Sequence, residues 1–257
     1  MGREQIKVEY VDHMGTDLST VNSARVSFDK ESDWEDCSED PDMARDAEVL
    51  ADLHHTTIRE QFAKFSDNKG VLKTEDKGLV KYLASHHHTT PSRHNAVTIR
   101  CHAPIFIARQ LGKHQAGLSW NEVSRRYVDT PPEFFVPDEW RGRPDGSIKQ
   151  GSGVKVSVKP FRPMGLDFAD HNTKFLDAIS GYYNHLLQQG VAPEMARMVL
   201  PQSMMTSWYW TGNLLAFAHV YKERIAEGAQ LEAQWFAEDL DKVIRPLFPE
   251  SWSALVD

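Results

Sequence analysis

The chain has 257 residues, 40% apolar and 26% charged, with a net charge of −8. That length supports one well-buried core, and the acidic balance does not favour nonspecific nucleic-acid binding, which needs a basic footprint, so no nucleic-acid partner is expected. No apolar run approaches the ~20 residues that cross a bilayer, and the N-terminal residues lack the apolar stretch of a secretory signal, so cytoplasmic residence without membrane contact is expected.

In chain order, residues 6–12 alternate as Ile-Lys-Val-Glu-Tyr-Val-Asp and read as a first strand. Met14-Gly15 turns the chain, and Asp17 is placed to cap a short helix reaching about Arg25. The acidic excess is concentrated in residues 29–49; residues 29–45 read as a surface loop, followed by a helix near 45–64 and a polar loop over 66–76. A helix starts in Leu79–Ser85, and Pro91 closes that unit. Ala96–His102 alternates as a strand, and Pro104 opens a helix that ends near Gly112. Ser119-x-x-Glu122 has the form of a capping box for a short following turn. Residues 128–165 are rich in Pro and Gly and read as a long excursion. The last third reads as helical, over about 166–188, 192–200, 211–227 and 229–246. Strands lead and helices follow, so the class is α+β.

Residues 109–127 concentrate the chemistry: Arg-Gln-Leu-Gly-Lys-His-Gln-Ala-Gly-Leu-Ser-Trp-Asn-Glu-Val-Ser-Arg-Arg-Tyr. Arginine offers a planar fork of donors for phosphate, serine adds hydroxyls, and glutamate accepts from sugar or base. The mixture suits an anionic, planar ligand such as a nucleotide. The run Ser85-His86-His87-His88 invites a metal reading, but neighbouring histidines in an extended segment point to opposite faces and no Asp, Glu or Cys completes a site, so no metal is expected. Of the two cysteines, Cys101 sits in the alternating strand as a small apolar residue, and Cys37 lies among acids that do not lower a thiol pKa. On a helix starting at 211, Asn213 and Arg224 would fall within roughly 20° of each other and about 16 Å apart, suited to two ends of one extended ligand.

Ser119-Trp120-Asn121-Glu122-Val123-Ser124-Arg125-Arg126-Tyr127 resembles the second half of the signature of the flavin-dependent thymidylate synthases. The first half stands as Lys113-His114-Gln115 where the family has Arg-His-Arg, with one extra residue between the halves. Further segments carry the same resemblance: Met14–Phe28, His88-Thr89-Thr90-Pro91-Ser92-Arg93-His94, Ala196-Arg197-Met198-Val199-Leu200-Pro201 and Ala229-Gln230-Leu231-Glu232. Arg93 and Leu215 depart from the family pattern, and residues 30–78 and 141–165 look like insertions in a single catalytic domain.

The resemblance implies a central, mostly antiparallel sheet flanked by helices, and a homotetramer with sites built between subunits. It implies reductive methylation of dUMP to dTMP, with 5,10-methylenetetrahydrofolate as carbon donor, FAD as cofactor and NADPH as reductant. It places Arg109, Gln110, Lys113, Glu122, Val123, Ser124, Arg125, Arg126, Arg197 and Arg224 on dUMP, with Arg224 as the catalytic residue polarising the pyrimidine. Ser27, Thr90, Lys113, His114, Gln115, Glu122, Asn213 and His219 would line FAD, with His88 on the folate or nicotinamide side. The altered Lys113, Gln115 and Leu215 motivate a second reading, a flavin-dependent nucleotide hydroxymethylase or a relative acting on dCMP. Two readings of other classes are a nucleotide-binding module without catalysis and a metal-dependent phosphohydrolase using His54, His55, His87 and His88.

Overall fold

The computed structural model describes residues 2–36, 70–128, 130–144, 151–158 and 173–257. Strand β1, Lys7–Met14, leads into helix α1, Asp17–Arg25, across Gly15. That glycine has φ +86°, and a Cβ there would lie 2.2 Å from the Asn95 side-chain oxygen, so both backbone and space demand glycine. The cap of α1 is Thr16 rather than Asp17: Thr16 is extended, and its N–H donates to Ser19 Oγ at 3.0 Å. Asp17 is instead the first helical residue and is buried.

Two short strands, β2 (Glu35–Asp36) and β3 (Gly70–Val71), pair antiparallel before helix α2, Thr74–Ser85, which starts earlier than the apolar spacing from Leu79 suggests. The long strand β4, Ala96–Pro104, alternates inward Val97, Ile99, Cys101 and Ala103, all 0% exposed. Helix α3, Ile105–Leu111, follows, capped by an extended Pro104. Residues 118–122 form strand β5, Leu118–Glu122, and not the capped turn that Ser119-x-x-Glu122 suggests. A hairpin follows, β6 (Trp140–Arg141) antiparallel to β7 (Lys155–Val156).

Helix α4 spans Thr173–Gln188, and α5, Pro193–Ala196, continues as a 3-10 turn over Arg197–Val199. Strand β8, Met205–Asn213, occupies a stretch whose end was expected to be helical; helix α6 begins only at Leu214 and runs to Ile225. Helices α7, Leu231–Ile244, and α8, Pro249–Val256, complete the chain, the last of them unforeseen from the sequence. The expected helix near 45–64 lies outside the described residues. The architecture is α+β, with an antiparallel sheet ordered β1-β4-β8-β5 and flanking helices. Among the described residues no helix is long and apolar enough to cross a membrane.

The chain divides into two compact units. The first comprises Met1–Glu9, Arg100–Trp210 and Lys222–Asp239; the second comprises Tyr10–Ile99, Thr211–Tyr221 and Leu240–Asp257. Inside the first, Trp208 stacks on Trp120 at 4.3 Å and lies parallel to Phe236 at 6.1 Å, with Trp210 edge-on to Trp120. Inside the second, Val21, Leu72 and Val80 close a core with Leu18, Trp34 and Leu79, and α8 packs against α2 through Ala254. The first turn of α8 is held by Asp17, whose carboxylate accepts from the backbone N–H groups of Glu250 at 2.9 Å and Ser251 at 2.8 Å. Its burial pushes the Asp17 carboxyl pKa up, against the opposing pull of the hydrogen bonds it accepts from Ser251 and Glu250.

Candidate active site

Pro104 fixes the start of α3 and Gly112 ends it, so Arg109 and Gln110 sit in its last turn. The chain then tightens, with His114 N–H donating to the Leu111 carbonyl at 2.9 Å, and passes through Gly117 at φ +74° into β5. This turn and strand wall a cleft of about 530 Å³ carrying Arg109, Lys113, His114, Gln115, Trp120 and Glu122.

Arg224, in the last turn of α6, donates to His114 Nε2 from Nε at 3.1 Å and from Nη2 at 2.8 Å. A guanidinium has no acceptor, so Nε2 of His114 presents its lone pair and the ring proton sits on Nδ1. The catalytic candidate is thus fixed on a residue that lines the cleft. Glu122 is held from both sides: Thr206 Oγ1 donates to Oε1 at 2.8 Å, and Trp120 Nε1 donates to Oε2 at 3.3 Å.

Beyond β5, Arg126 Nε donates to Ser124 Oγ at 3.1 Å, and the Arg126 guanidinium lies 5.1 Å from the Tyr127 ring. Arg125 is committed elsewhere, donating to the carbonyls of Thr130 and Pro131. Val123 is exposed, with its N–H donating to the Ser207 carbonyl at 2.9 Å. Arg197 is exposed as well; its Nε donates to the Glu194 carbonyl at 3.3 Å, so no buried anion is needed to explain it.

All of these residues belong to the first unit. Ser27, His88, Thr90, Asn213 and His219 are carried by the second. Ser27 sits in an exposed 3-10 turn, Val26–Phe28, and Thr90 directly precedes another, Pro91–Arg93. His88 is exposed and lies edge-on to Tyr82 at 6.0 Å. Asn213 ends β8, and its Oδ1 accepts from Ala216 N–H at 2.9 Å, capping α6. It is therefore not a helical residue, and the one-face argument linking it to Arg224 does not hold.

His102 and Ser207 were not foreseen. His102 Nδ1 and Ser207 Oγ are 2.8 Å apart beside a small pocket of about 160 Å³ that Glu133 and Arg125 also line. Burial lowers the His102 pKa, with Glu133 opposing the shift. The signal available was the strand pattern of 96–102, which puts His102 on the face opposite Cys101. Cys101 itself is fully buried, and that burial pushes its thiol pKa well up. Among the described residues no group of three or more His, Cys, Asp or Glu is placed to hold a metal ion, and His54 and His55 lie outside them.

The donor set of the cleft fits a flavin nucleotide. Arg109 and Lys113 offer cationic charge to a diphosphate, Gln115 offers an amide to ring N–H and C=O groups, and the Trp120 indole offers a flat face.

An α+β chain whose cleft carries Arg109 and Lys113, with the Arg224 guanidinium bonded to cleft-lining His114, has the donors that an anionic, planar ligand calls for. Its sequence matches the family model described as "Thymidylate synthase complementing protein" over residues 9–250. It is similar to the flavin-dependent thymidylate synthase of Thermosipho africanus, 34% identical over 195 residues, covering 76% of this chain and 83% of that one. The enzyme of the same name from Thermus thermophilus is 29% identical over 247 residues, covering 96% and 74%. Among solved structures it resembles the UMP/dUMP methylase PolB from Streptomyces cacaoi bound with 5-Br dUMP, at 27% identity and a TM-score of 0.67, covering 97% of this chain and 94% of that one. The chain belongs to the flavin-dependent thymidylate synthase family.

Proposed function

We propose that this chain converts dUMP to dTMP, with 5,10-methylenetetrahydrofolate giving the carbon and NADPH the reducing equivalents, as a homotetramer with sites between subunits. The observation that carries the reading is the Arg224 guanidinium fixed by His114, in a unit whose Cys101 thiol is sealed. Methylation at C5 requires an electron-rich pyrimidine ring. A thiolate adding to the ring achieves that elsewhere, but a buried thiol held protonated does not. A guanidinium directed at the ring's carbonyl edge instead stabilises the negative charge that develops there.

In this reading Gln110, Lys113, Ser124, Arg126 and Arg197 hold the nucleotide and Glu122 accepts from it. Ser27, Thr90, Lys113, His114, Gln115, Asn213 and His219 hold FAD, and His88 faces folate or nicotinamide. The flavin supplies redox chemistry that no side chain offers.

Arg224→Ala tests this. One preorganised donor is worth roughly 2.7–4 kcal/mol, so kcat falls about 10²- to 10³-fold while the yellow flavin absorbance near ~450 nm is retained. Turnover within threefold of wild type overturns the reading. Since the PolB structures are of a UMP/dUMP methylase, the assay is run on UMP beside dUMP; methylation of UMP alone replaces the proposed substrate with the ribonucleotide.

A further inference from the structure

A line of hydrogen bonds runs through the first unit from Arg141 and ends at Gln110, in the last turn of α3 next to cleft-lining Arg109. Glu232 is 3% exposed, and both its carboxylate oxygens are engaged. Oε1 accepts from Arg141 Nη2 at 2.5 Å, and Oε2 accepts from Gln230 Nε2 at 2.9 Å. Gln230 Oε1 then accepts from Gln110 Nε2 at 2.8 Å.

The direction of this line is set at the carboxylate. An ionised carboxylate only accepts, so Gln230 must turn its amide N–H toward Glu232. Its oxygen is then left to face Gln110, which must answer with its own N–H. The oxygen of Gln110 is thereby directed away from Gln230. A glutamine alone is ambiguous between donor and acceptor; this one is not.

Arg141 reaches Glu232 from β6, outside the family signature. Its Nε donates to Ser152 Oγ at 2.7 Å, which ties both sides of the hairpin together. Gly151, at φ +81°, brings that hairpin so near the loop before Gln230 that a Cβ would sit 3.3 Å from the Gly228 carbonyl oxygen. The segment read from sequence as an insertion therefore supplies the cation that pairs with the buried Glu232 carboxylate.

We propose that Arg141 and Glu232 are positioning residues for nucleotide recognition, acting through Gln230 so that Gln110 offers an acceptor, its side-chain carbonyl, to a hydroxyl or N–H of the pyrimidine nucleotide. This rests on the reading that Gln110 touches the nucleotide. Neither Arg141 nor Glu232 needs to contact it.

Glu232→Gln is the test: the carboxamide has the same shape, but Arg141 only donates and takes its oxygen, so its N–H turns to Gln230 and the direction of Gln230 and Gln110 reverses. In flavin-loaded protein, the Kd for dUMP measured by calorimetry rises about fivefold to tenfold, the worth of one hydrogen bond, with flavin content unchanged. The double variant Glu232→Gln with Gln230→Glu restores an acceptor-only group opposite Gln110 and returns the Kd to within about twofold of wild type. A merely structural role predicts no such rescue. If wild type binds dUMP and Glu232→Gln binds it equally well, or the double variant stays as weak as the single one, the positioning role is overturned while the proposed function stands. Wild-type protein that fails to bind dUMP overturns both.

Discussion

Replacing Asp17 with alanine removes the carboxylate oxygens that accept from the backbone N–H groups of Glu250 and Ser251. The two bonds, 2.9 and 2.8 Å long, hold the first turn of α8 from a residue more than two hundred positions earlier. Hydrogen bonds to a charged group contribute roughly 1.5–3 kcal/mol each. The cost of keeping the carboxylate buried offsets part of that gain, leaving a net loss of about 3 kcal/mol. For a chain of this size each kcal/mol moves the melting temperature by ~2–4 °C, so Asp17→Ala melts roughly 6–12 °C below wild type. Asp17→Asn keeps one acceptor and loses about half as much. Thermal unfolding followed by circular dichroism measures both, and hydrogen exchange reads the Glu250 and Ser251 amides directly. Burial raises the pKa of Asp17 above its ordinary 3.8, so its titration gives stability that is full below that value and is lost as pH rises through the folded one. The advantage of wild type over Asp17→Asn therefore shrinks as pH rises through that window. An Asp17→Ala protein melting within 2 °C of wild type, with amide exchange at α8 unaltered, would show the buried carboxylate to be idle and refute the reasoning.

Two further outcomes follow from buried groups. Cys101→Ala keeps kcat within about twofold, since a sealed, protonated thiol takes no part in activating the ring; a loss comparable to that of Arg224→Ala would instead mark a thiolate mechanism. Asp76→Ala strips a fully buried carboxylate from the Arg25 guanidinium and from Ser32 Oγ at 2.5 Å. Arg25 is one quarter exposed, so the loss in a urea titration falls at the low end of the range for a broken buried pair, about 3 kcal/mol; a loss below 1 kcal/mol contradicts the burial argument.

Local pattern made much of this fold readable. Val97, Ile99, Cys101 and Ala103 alternate cleanly, and Pro104 and Gly112 bracket α3 as their backbone preferences require. Elsewhere one signal masked another. Ser119 and Glu122 have capping-box spacing, but Leu118 and Trp120 turn one face of a strand inward, and the Trp120 stack on Trp208 decides the conformation. In β8, buried Trp208 and Trp210 flank exposed Tyr209, a period of two that was there to be read. Pro249 followed by Glu250 is likewise a helix-start signal, for α8. The cleft was legible because Arg109 through Glu122 are contiguous in sequence. The line from Gln110 to Arg141 was not, since its members come from separate segments and no local rule connects them.

The stacked indoles also make the protein its own optical gauge. Trp120 faces the cleft on one side and shares its excited state with Trp208, 4.3 Å behind it, on the other. A chromophore entering beside Trp120 quenches a coupled pair rather than a single ring. Emission from a chain with seven tryptophans then reports cleft occupancy without any added label.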